Sequence, residues 1–204
     1  MPVVALVLFV VFAVLGFGWR SWKQRRRTGS TGFRGISGHL GSTEWFAGVG
    51  FVAALVAAVV APVLQWVEVV SPVGVLHAPW IQALGVVIAV LGIFATVYAQ
   101  LDMGDSWRIG VDPNETTTLV RTGVFGWVRN PIFTAMTTFG FGIALVTPNL
   151  VAIVGFLLLV ATIELQVRVV EEPYLLTVHG DAYRDYLANV GRFVPGAGRI
   201  REAR

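Results

Sequence analysis

The sequence predicts an all-α fold, a polytopic membrane bundle of about five transmembrane helices. Of the 204 residues, 55% are hydrophobic and only 13% are charged, a composition too apolar for an ordinary soluble domain. Polar, glycine-containing or proline-containing segments separate the apolar residues into long runs, as expected for separate spans. These runs are Val3–Trp19, Trp45–Val67, Trp80–Leu101, Ile132–Val146 and Leu150–Leu165.

The first three stretches are predicted to be simple membrane-spanning helices. The first ends in an aromatic and basic cluster, Trp19 to Lys23, which is typical of an interfacial anchor. The second and third hold 23 and 22 residues, enough to cross roughly 30 Å of hydrocarbon. A glycine-rich loop, Thr28–Thr43, joins the first two stretches, and we interpret it as a flexible linker.

The last two stretches hold only 15 and 16 residues, which is short for full spans. The turn signal Thr147-Pro148-Asn149 separates them, so we predict a tight helical hairpin that is tilted or stops short of the far face. Beyond the hairpin, Asp181 is a natural N-cap for a short helix on which Tyr183 and Tyr186 share an apolar face. We expect this helix to lie at the membrane interface.

The basic residues predict the orientation in the membrane. All 15 lie between the first and second stretches, between the third and fourth, or after the fifth. With five spans these regions share one side, and the positive-inside rule makes that side cytoplasmic. We therefore expect an integral protein of the cell membrane, with its N-terminus outside and its C-terminus in the cytoplasm.

The composition also narrows the possible chemistry. The net charge of +3 is interpreted as an asymmetry across a bilayer, so no nucleic-acid partner is predicted. There is no cysteine, which excludes disulfides and cysteine metal sites. The histidines His39, His77 and His179 stand alone without metal-ligand spacing, so no metal site is predicted.

The first candidate site precedes the fourth apolar stretch. Pro131 suits the first turn of a helix, which places Arg129 and Asn130 just before a membrane-entering helix. Free backbone N–H groups at such a position favour an anion, and the planar fork of an arginine can grip a carboxylate or a phosphate. The alternative interpretation is that Arg129 is only an interfacial anchor and a topology signal.

The second candidate site follows the fifth apolar stretch, where carboxylates are grouped at the end of a membrane helix. Such a group suggests a bound cation or a set of hydroxyls. The alternative is a salt-bridged helix end, because Arg168 lies one turn from both Glu164 and Glu172. Glu164 lies at the end of the apolar stretch itself, and Glu171 directly precedes Glu172.

Together, the two clusters resemble the superfamily of isoprenylcysteine carboxyl methyltransferases and phospholipid methyltransferases, which are integral membrane enzymes. The first resembles the central motif of that family: Leu119-Val120-x-x-Gly123-x-Phe125-x-x-x-Arg129-Asn130-Pro131-x-Phe133-Thr134. The second resembles its C-terminal motif: Glu171-Glu172-x-x-Leu175, then Gly180-x-x-Tyr183-x-x-Tyr186 and Arg192-Phe193-Val194-Pro195. The preceding segment also resembles bacterial members: Gly104-x-Ser106-Trp107-Arg108.

The resemblance implies a methyltransferase that uses S-adenosylmethionine, bound at the cytoplasmic ends of the last helices. Arg129 and Glu172 are the implied catalytic residues, with Arg129 paired to a carboxylate of cofactor or substrate. Glu171 and Glu172 would hold the amino group or the ribose hydroxyls of the cofactor. The other residues implied at the cofactor site are Asn130, Pro131, Phe133, Tyr183, Tyr186, Trp107 and Arg108.

Two positions depart from the family pattern. Many relatives have histidine where this chain has Asn130, and asparagine cannot change its charge near neutral pH. A hydrogen bond to the cofactor is therefore expected there rather than proton transfer. Ala135 replaces a glycine that is common in the family. The implied organisation is an N-terminal pair of helices at 1–79, a methyltransferase-like core at 80–195 and a tail at 196–204.

The expected reaction is direct methyl transfer to a lipid or isoprenoid-linked acceptor at the cytoplasmic leaflet. The sulfonium activates the methyl group, so the protein must mainly align the reactants and exclude water. Glu164 and Glu172 are candidates for a general base. Two alternatives are an NADPH-dependent membrane reductase of the sterol-reductase type, with Arg108, Arg121 and Arg192 near a 2′-phosphate, and a non-enzymatic membrane scaffold.

Overall fold

A computed structural model of the chain describes residues 1–32, 35–36, 38–107 and 118–200. These residues form helices joined by turns, and their only β-type pairing is an isolated bridge between Val128 and Gly191. The all-α fold class is confirmed. The helices of the described residues are α1 (Pro2–Thr28), α2 (Thr43–Trp66), α3 (Pro79–Asp102), α4 (Pro131–Val146), α5 (Leu150–His179) and α6 (Asp181–Asn189).

All five predicted apolar stretches form helices, and four of these are long enough to be membrane spans. Among the described residues, α1, α2, α3 and α5 are long and apolar enough to cross a membrane, and α4 is a shorter apolar helix. The lipid-facing side of α1 is a row of exposed valines, including Val3, Val7 and Val10. Since lipid solvates apolar side chains, such exposure is expected in a membrane bundle.

The two helices of the predicted hairpin differ in length. The helix α4 has 16 residues, whereas α5 continues beyond the apolar stretch to His179 and reaches 30 residues. The turn between them is tight, because Asn149 caps α5 by accepting a hydrogen bond from the N–H of Ala152 at 2.9 Å. The amide of Asn149 also donates to the carbonyl of Ala61 at 3.0 Å, which ties the hairpin to α2.

Two of the long helices contain a π-helical segment. In α1 it spans Ala13–Trp19, and in α5 it spans Gln166–Glu171. A π segment adds a residue to a turn and rotates everything that follows it, and such segments are frequent at functional sites. Residues of both segments line the cavity described below, among them Phe17 and Gln166.

Small residues bring the helices into close contact over most of the bundle. On α3, a Cβ atom added to Gly92 would lie 2.5 Å from the backbone nitrogen of Phe139 on α4. On the other side, a Cβ atom on Gly155 of α5 would lie 2.7 Å from the Cβ of Ala57 on α2. The antiparallel pairs α3–α4 and α2–α5 therefore pack backbone against backbone, as small residues allow in membranes.

The helix α1 completes the bundle and runs parallel to α3. Its Phe12 ring stacks on the Phe139 ring of α4, with 4.1 Å between the centroids. Phe12, Phe139, Ile93 and Ile143 belong to the main buried apolar cluster. At the far end of α1, the C-terminal part meets the end of α3 and begins the wall of the candidate site.

Candidate functional site

The two sequence motifs meet through their backbones. The N–H of Arg129 donates to the carbonyl of Gly191 at 2.8 Å, and the N–H of Asn130 donates to the carbonyl of Arg192 at 3.1 Å. The hydroxyl of Thr134, in the first turn of α4, donates to the carbonyl of Phe193 at 2.9 Å. These bonds hold the start of α4 against a segment about 60 residues later in the sequence.

A buried cluster of charges lies beneath this backbone pairing. A guanidinium nitrogen of Arg129 and the Nε of Arg192 both donate to Oε1 of Glu172 at 2.8 Å, and a second nitrogen of Arg192 donates to Oε2 at 2.9 Å. The three residues are 5–7% exposed. Because two cations share one carboxylate, the cluster carries a net positive charge. The hydrogen bond from the Arg192 side chain to Glu172 raises the pKa of Arg192.

The guanidinium of Arg129 is already engaged by the protein. Besides Glu172, its terminal nitrogens donate to the carbonyls of Leu187, Val190 and Gly198. Its Nε is buried and has no hydrogen-bond partner among the described residues. Arg129 therefore offers a ligand a single N–H rather than the two-pronged fork expected from the sequence.

Beside this cluster lies a cavity of about 530 Å³, within the range typical of small-molecule sites. The structure brings most of the sequence-predicted site residues to its wall. Those that line it are Trp107, Arg129, Asn130, Pro131, Phe133, Glu171, Tyr183 and Tyr186.

One predicted site residue among those described, Glu172, does not line the cavity. Glu172 is next to Glu171 in sequence but is absent from the cavity wall, because its carboxylate faces Arg129 and Arg192. Arg108 falls outside the residues that the structure describes. Glu164, a candidate base, also does not line the cavity, and it forms a 2.6 Å ion pair with Arg168 in which both side chains are exposed.

The cavity also has lining residues that the sequence motifs do not contain. Neutral polar side chains come from three helices: Ser21 from α1, Gln100 from α3 and Gln166 from α5. Gln100 is a polar residue within an apolar run of the sequence, and this pattern could have identified it as a candidate site residue. The apolar part of the wall carries no such signal, and it includes Phe17, Phe51, Val52, Leu55, Met136 and Ile163.

The tyrosines of α6 form a buried wall. The hydroxyl of Tyr186 donates to the backbone carbonyl of Phe125, and the rings of Tyr183 and Tyr186 meet edge to face with 6.0 Å between centroids. Burial raises the pKa of Tyr186 to about 12 and also raises the pKa of Tyr183. Both phenols therefore keep their protons at neutral pH and act as neutral hydrogen-bonding groups.

The loop that precedes α4 packs closely against the end of α3 at a glycine. Gly123 has a φ of 57°, and the nearest atoms to an added Cβ would be the carboxylate oxygens of Asp102. That carboxylate accepts a 2.9 Å hydrogen bond from the N–H of Val124. Only glycine allows this close approach without strain, so the end of α3 is fixed to the central motif.

Fold and site together define a polytopic helical membrane protein with a cofactor-sized cavity at one end of its bundle. Residues 80–182 match the model of the phospholipid methyltransferase family, which is half of the chain. The chain belongs to this family, and the resemblance predicted from the sequence is confirmed. Among the described residues, no group of three or more histidine, aspartate or glutamate side chains is placed to hold a metal ion.

A solved structure has a similar fold, that of a eukaryotic intramembrane Ras methyltransferase, isoprenylcysteine carboxyl methyltransferase. The two share 20% sequence identity, with a TM-score of 0.57. The similarity covers 96% of this chain and 63% of that one, so this chain spans less than two thirds of its length. A comparison with curated proteins gives no match.

Proposed function

We propose that this protein is an integral membrane methyltransferase that uses S-adenosylmethionine and methylates a lipid or isoprenoid-linked acceptor. One observation carries the proposal: residues of both family motifs line a single cavity whose wall combines polar groups with many apolar side chains. Family membership supports methyl transfer. The apolar side chains support an acceptor that carries a hydrocarbon chain.

The polar residues that line the cavity fit the proposed cofactor. The carboxylate of Glu171 suits an ammonium group or ribose hydroxyls, and the amide of Asn130 supplies a hydrogen-bond donor and acceptor. The free Nε of Arg129 suits one carboxylate oxygen. The amide of Asn130 is itself held by a 3.2 Å bond to the carbonyl of Arg192, which fixes its orientation.

When bound, S-adenosylmethionine supplies a methyl group already activated by the sulfonium. The task of the protein is then to orient the reactants and exclude water. Tyr183, Tyr186 and Trp107 are nearly fully buried side chains of the cavity wall, which suits the exclusion of water. Glu172 acts as a positioning residue in this proposal, because it holds Arg129 and Arg192 without lining the cavity.

The apolar side chains of the cavity wall suit the acceptor. Phe51, Val52 and Leu55 come from α2 and Met136 from α4, so in this proposal a hydrocarbon chain would lie between membrane helices. By the positive-inside rule, the cavity end of the bundle is cytoplasmic and the acceptor enters from that leaflet. The N-terminus is then outside.

The alternative, an NADPH-dependent reductase, needs cationic groups for a 2′-phosphate. Of the arginines considered for that role, Arg121 and Arg192 do not line the cavity, and Arg108 lies outside the described residues. Nothing in the described part of the site favours this alternative or the non-enzymatic scaffold.

The proposal is tested by measuring the binding of S-adenosylhomocysteine and of NADPH to the purified protein in nanodiscs by calorimetry. We expect binding of the first ligand only, weakened about tenfold or more by Glu171→Ala. The matched control is Glu164→Ala, a change of the same residue type on the same helix outside the cavity.

Incubation with radiolabelled S-adenosylmethionine and a total lipid extract then identifies the molecule that acquires the label. Label in the organic phase supports a lipid acceptor. Binding of NADPH instead of S-adenosylhomocysteine, or of neither ligand, would contradict the proposal.

A further inference from the structure

We propose that Gln100 is a ligand-contacting residue of this cavity, and that its side-chain oxygen accepts a hydrogen bond from an N–H group of the bound molecule. The inference deepens the proposed methyltransferase function and rests on it. Neither of the two motifs that define the candidate site contains this residue.

The supporting observation is that the side-chain oxygen of Gln100 is buried and accepts no hydrogen bond. Gln100 is 3% exposed and lines the cavity. Its Oε1 has no hydrogen-bond partner within the part of the chain that the structure describes. Buried side-chain oxygens are nearly always satisfied in folded proteins, so an exception in a cavity wall points to a ligand.

The orientation of the amide is determined by its other end. The Nε2 of Gln100 donates to the carbonyl of Gly16 on α1 at 2.9 Å. Exchanging the two ends of the amide would place an oxygen against that carbonyl oxygen, where no hydrogen bond can form. The oxygen is therefore the atom left for the cavity.

The backbone at Gln100 is also held in place. A buried arginine of α1, Arg20, donates to the carbonyl of Gln100 at 3.3 Å and to that of Gly104. The same guanidinium lies over the Trp107 ring, 4.6 Å from its centroid. These contacts hold the end of α3, and the bond from Nε2 to the carbonyl of Gly16 holds the amide itself.

The packing of α3 on α4 places Gln100 near the first turn of α4. Gly92 lies opposite Phe139, and the two helices are antiparallel. Two turns further along α3, Gln100 therefore lies level with Pro131 and Ile132, which also line the cavity.

The chemistry of an amide oxygen selects its ligand. It accepts a hydrogen bond from an amine or an ammonium and is repelled by a carboxylate. The donor could be the exocyclic amine of the cofactor's adenine or an amine on the acceptor. Both sources present the same N–H group, and a binding experiment separates them.

The test uses Gln100→Met, which keeps the side-chain length and removes both the acceptor oxygen and the donor to the carbonyl of Gly16. The matched control is Gln82→Met, since Gln82 is a buried glutamine of the same helix that donates to Val146 and does not line the cavity. A second variant, Gln100→Leu, serves if the first does not fold. Each purified protein is titrated with S-adenosylhomocysteine and with S-inosylhomocysteine, which lacks the exocyclic amine.

If the cofactor is the donor, Gln100→Met binds S-adenosylhomocysteine about tenfold more weakly than the wild type does and no longer distinguishes the two ligands. If the methylated lipid supplies the N–H group, the affinity of Gln100→Met for both homocysteine ligands is unchanged. The KM for lipid in the radiolabel assay then rises about tenfold. The control should match the wild type in both assays.

A folded Gln100 variant with unchanged cofactor affinity and unchanged KM would overturn this inference while leaving the proposed function intact. Failure of the wild type to bind S-adenosylhomocysteine would instead remove the proposed function, and this inference with it.

Discussion

The two ends of the α3–α4 pair are built in different ways. At one end, glycines such as Gly92 and Gly142 bring the two backbones into contact, and no space remains between the helices. At the other end, Gln100 and the residues from Arg129 onward line a cavity of about 530 Å³. The same two helices therefore pack closely along one part of their length and line the cavity along another.

The difference lies in the kind of interaction at each end. Close packing of small residues stabilises helices in lipid by van der Waals contact, which requires that the space be filled. Hydrogen bonds and ion pairs hold groups at fixed distances and need no filled volume beside them. The Arg129–Glu172–Arg192 cluster and the backbone pairing at Gly191 thus support an open site.

The largest effect is expected from breaking the packed end with Gly92→Leu. The new side chain would begin 2.5 Å from a backbone nitrogen of α4, so the helices must separate, at a cost of about 3 kcal/mol or more. The control is Gly18→Leu, because the nearest atom to a Cβ there is 3.8 Å away. Thermal unfolding in detergent measures both. Equal melting temperatures would show that the contact is not close.

A comparable effect at the open end is expected from Glu172→Ala. Removing the carboxylate leaves two buried arginines without their counter-charge, which typically costs about 3–5 kcal/mol. The exposed Glu164–Arg168 pair is the comparison, and Glu164→Ala should change the free energy of unfolding by less than about 1 kcal/mol. Similar losses in the two variants would refute the structural role of the buried cluster.

The smallest effect is expected from Tyr186→Phe, which removes the hydrogen bond to the carbonyl of Phe125 and costs about 1 kcal/mol at neutral pH. Because the folded-state pKa of Tyr186 is about 12, above the ordinary value of 10.0, its contribution is complete below pH 10 and is lost as the pH rises through 12. The stability difference between wild type and variant should therefore shrink over that range.

The control for this pH series is Tyr98→Phe, since Tyr98 is largely exposed on α3. This change reports the effect of removing a tyrosine hydroxyl that is not part of the Tyr186–Phe125 contact. A Tyr186→Phe difference that stays constant from pH 8 to pH 12 would contradict the assigned pKa.

Most of the fold was predictable from hydropathy, because a helix in lipid must be apolar over a length set by the bilayer. The Thr147-Pro148-Asn149 turn and the start of α4 at Pro131 follow from local backbone preferences. The length of α5 was not predictable in this way. Its last part continues the helix beyond the apolar stretch, as a π segment from Gln166 to Glu171 and an α-helical segment from Glu172 to His179.

The candidate site was predictable only as a set of residues. The motifs indicated that Arg129, Asn130 and Glu171 belong together, and the structure places all three at one cavity. The sequence did not show that the fork of Arg129 is occupied by Glu172 and by backbone carbonyls. Arg192, which shares that carboxylate, was noted only as part of a motif and as a possible ligand of a 2′-phosphate.

The sequence by itself determined the membrane helices, the hairpin and the chemistry available near one end of the bundle. Only the tertiary structure decided which polar groups face the cavity. Glu171 and Glu172 are neighbours, yet one lines the cavity and the other is buried against two arginines. The reason is rotational: successive residues on a helix point about 100° apart, and the π segment before them changes the direction further.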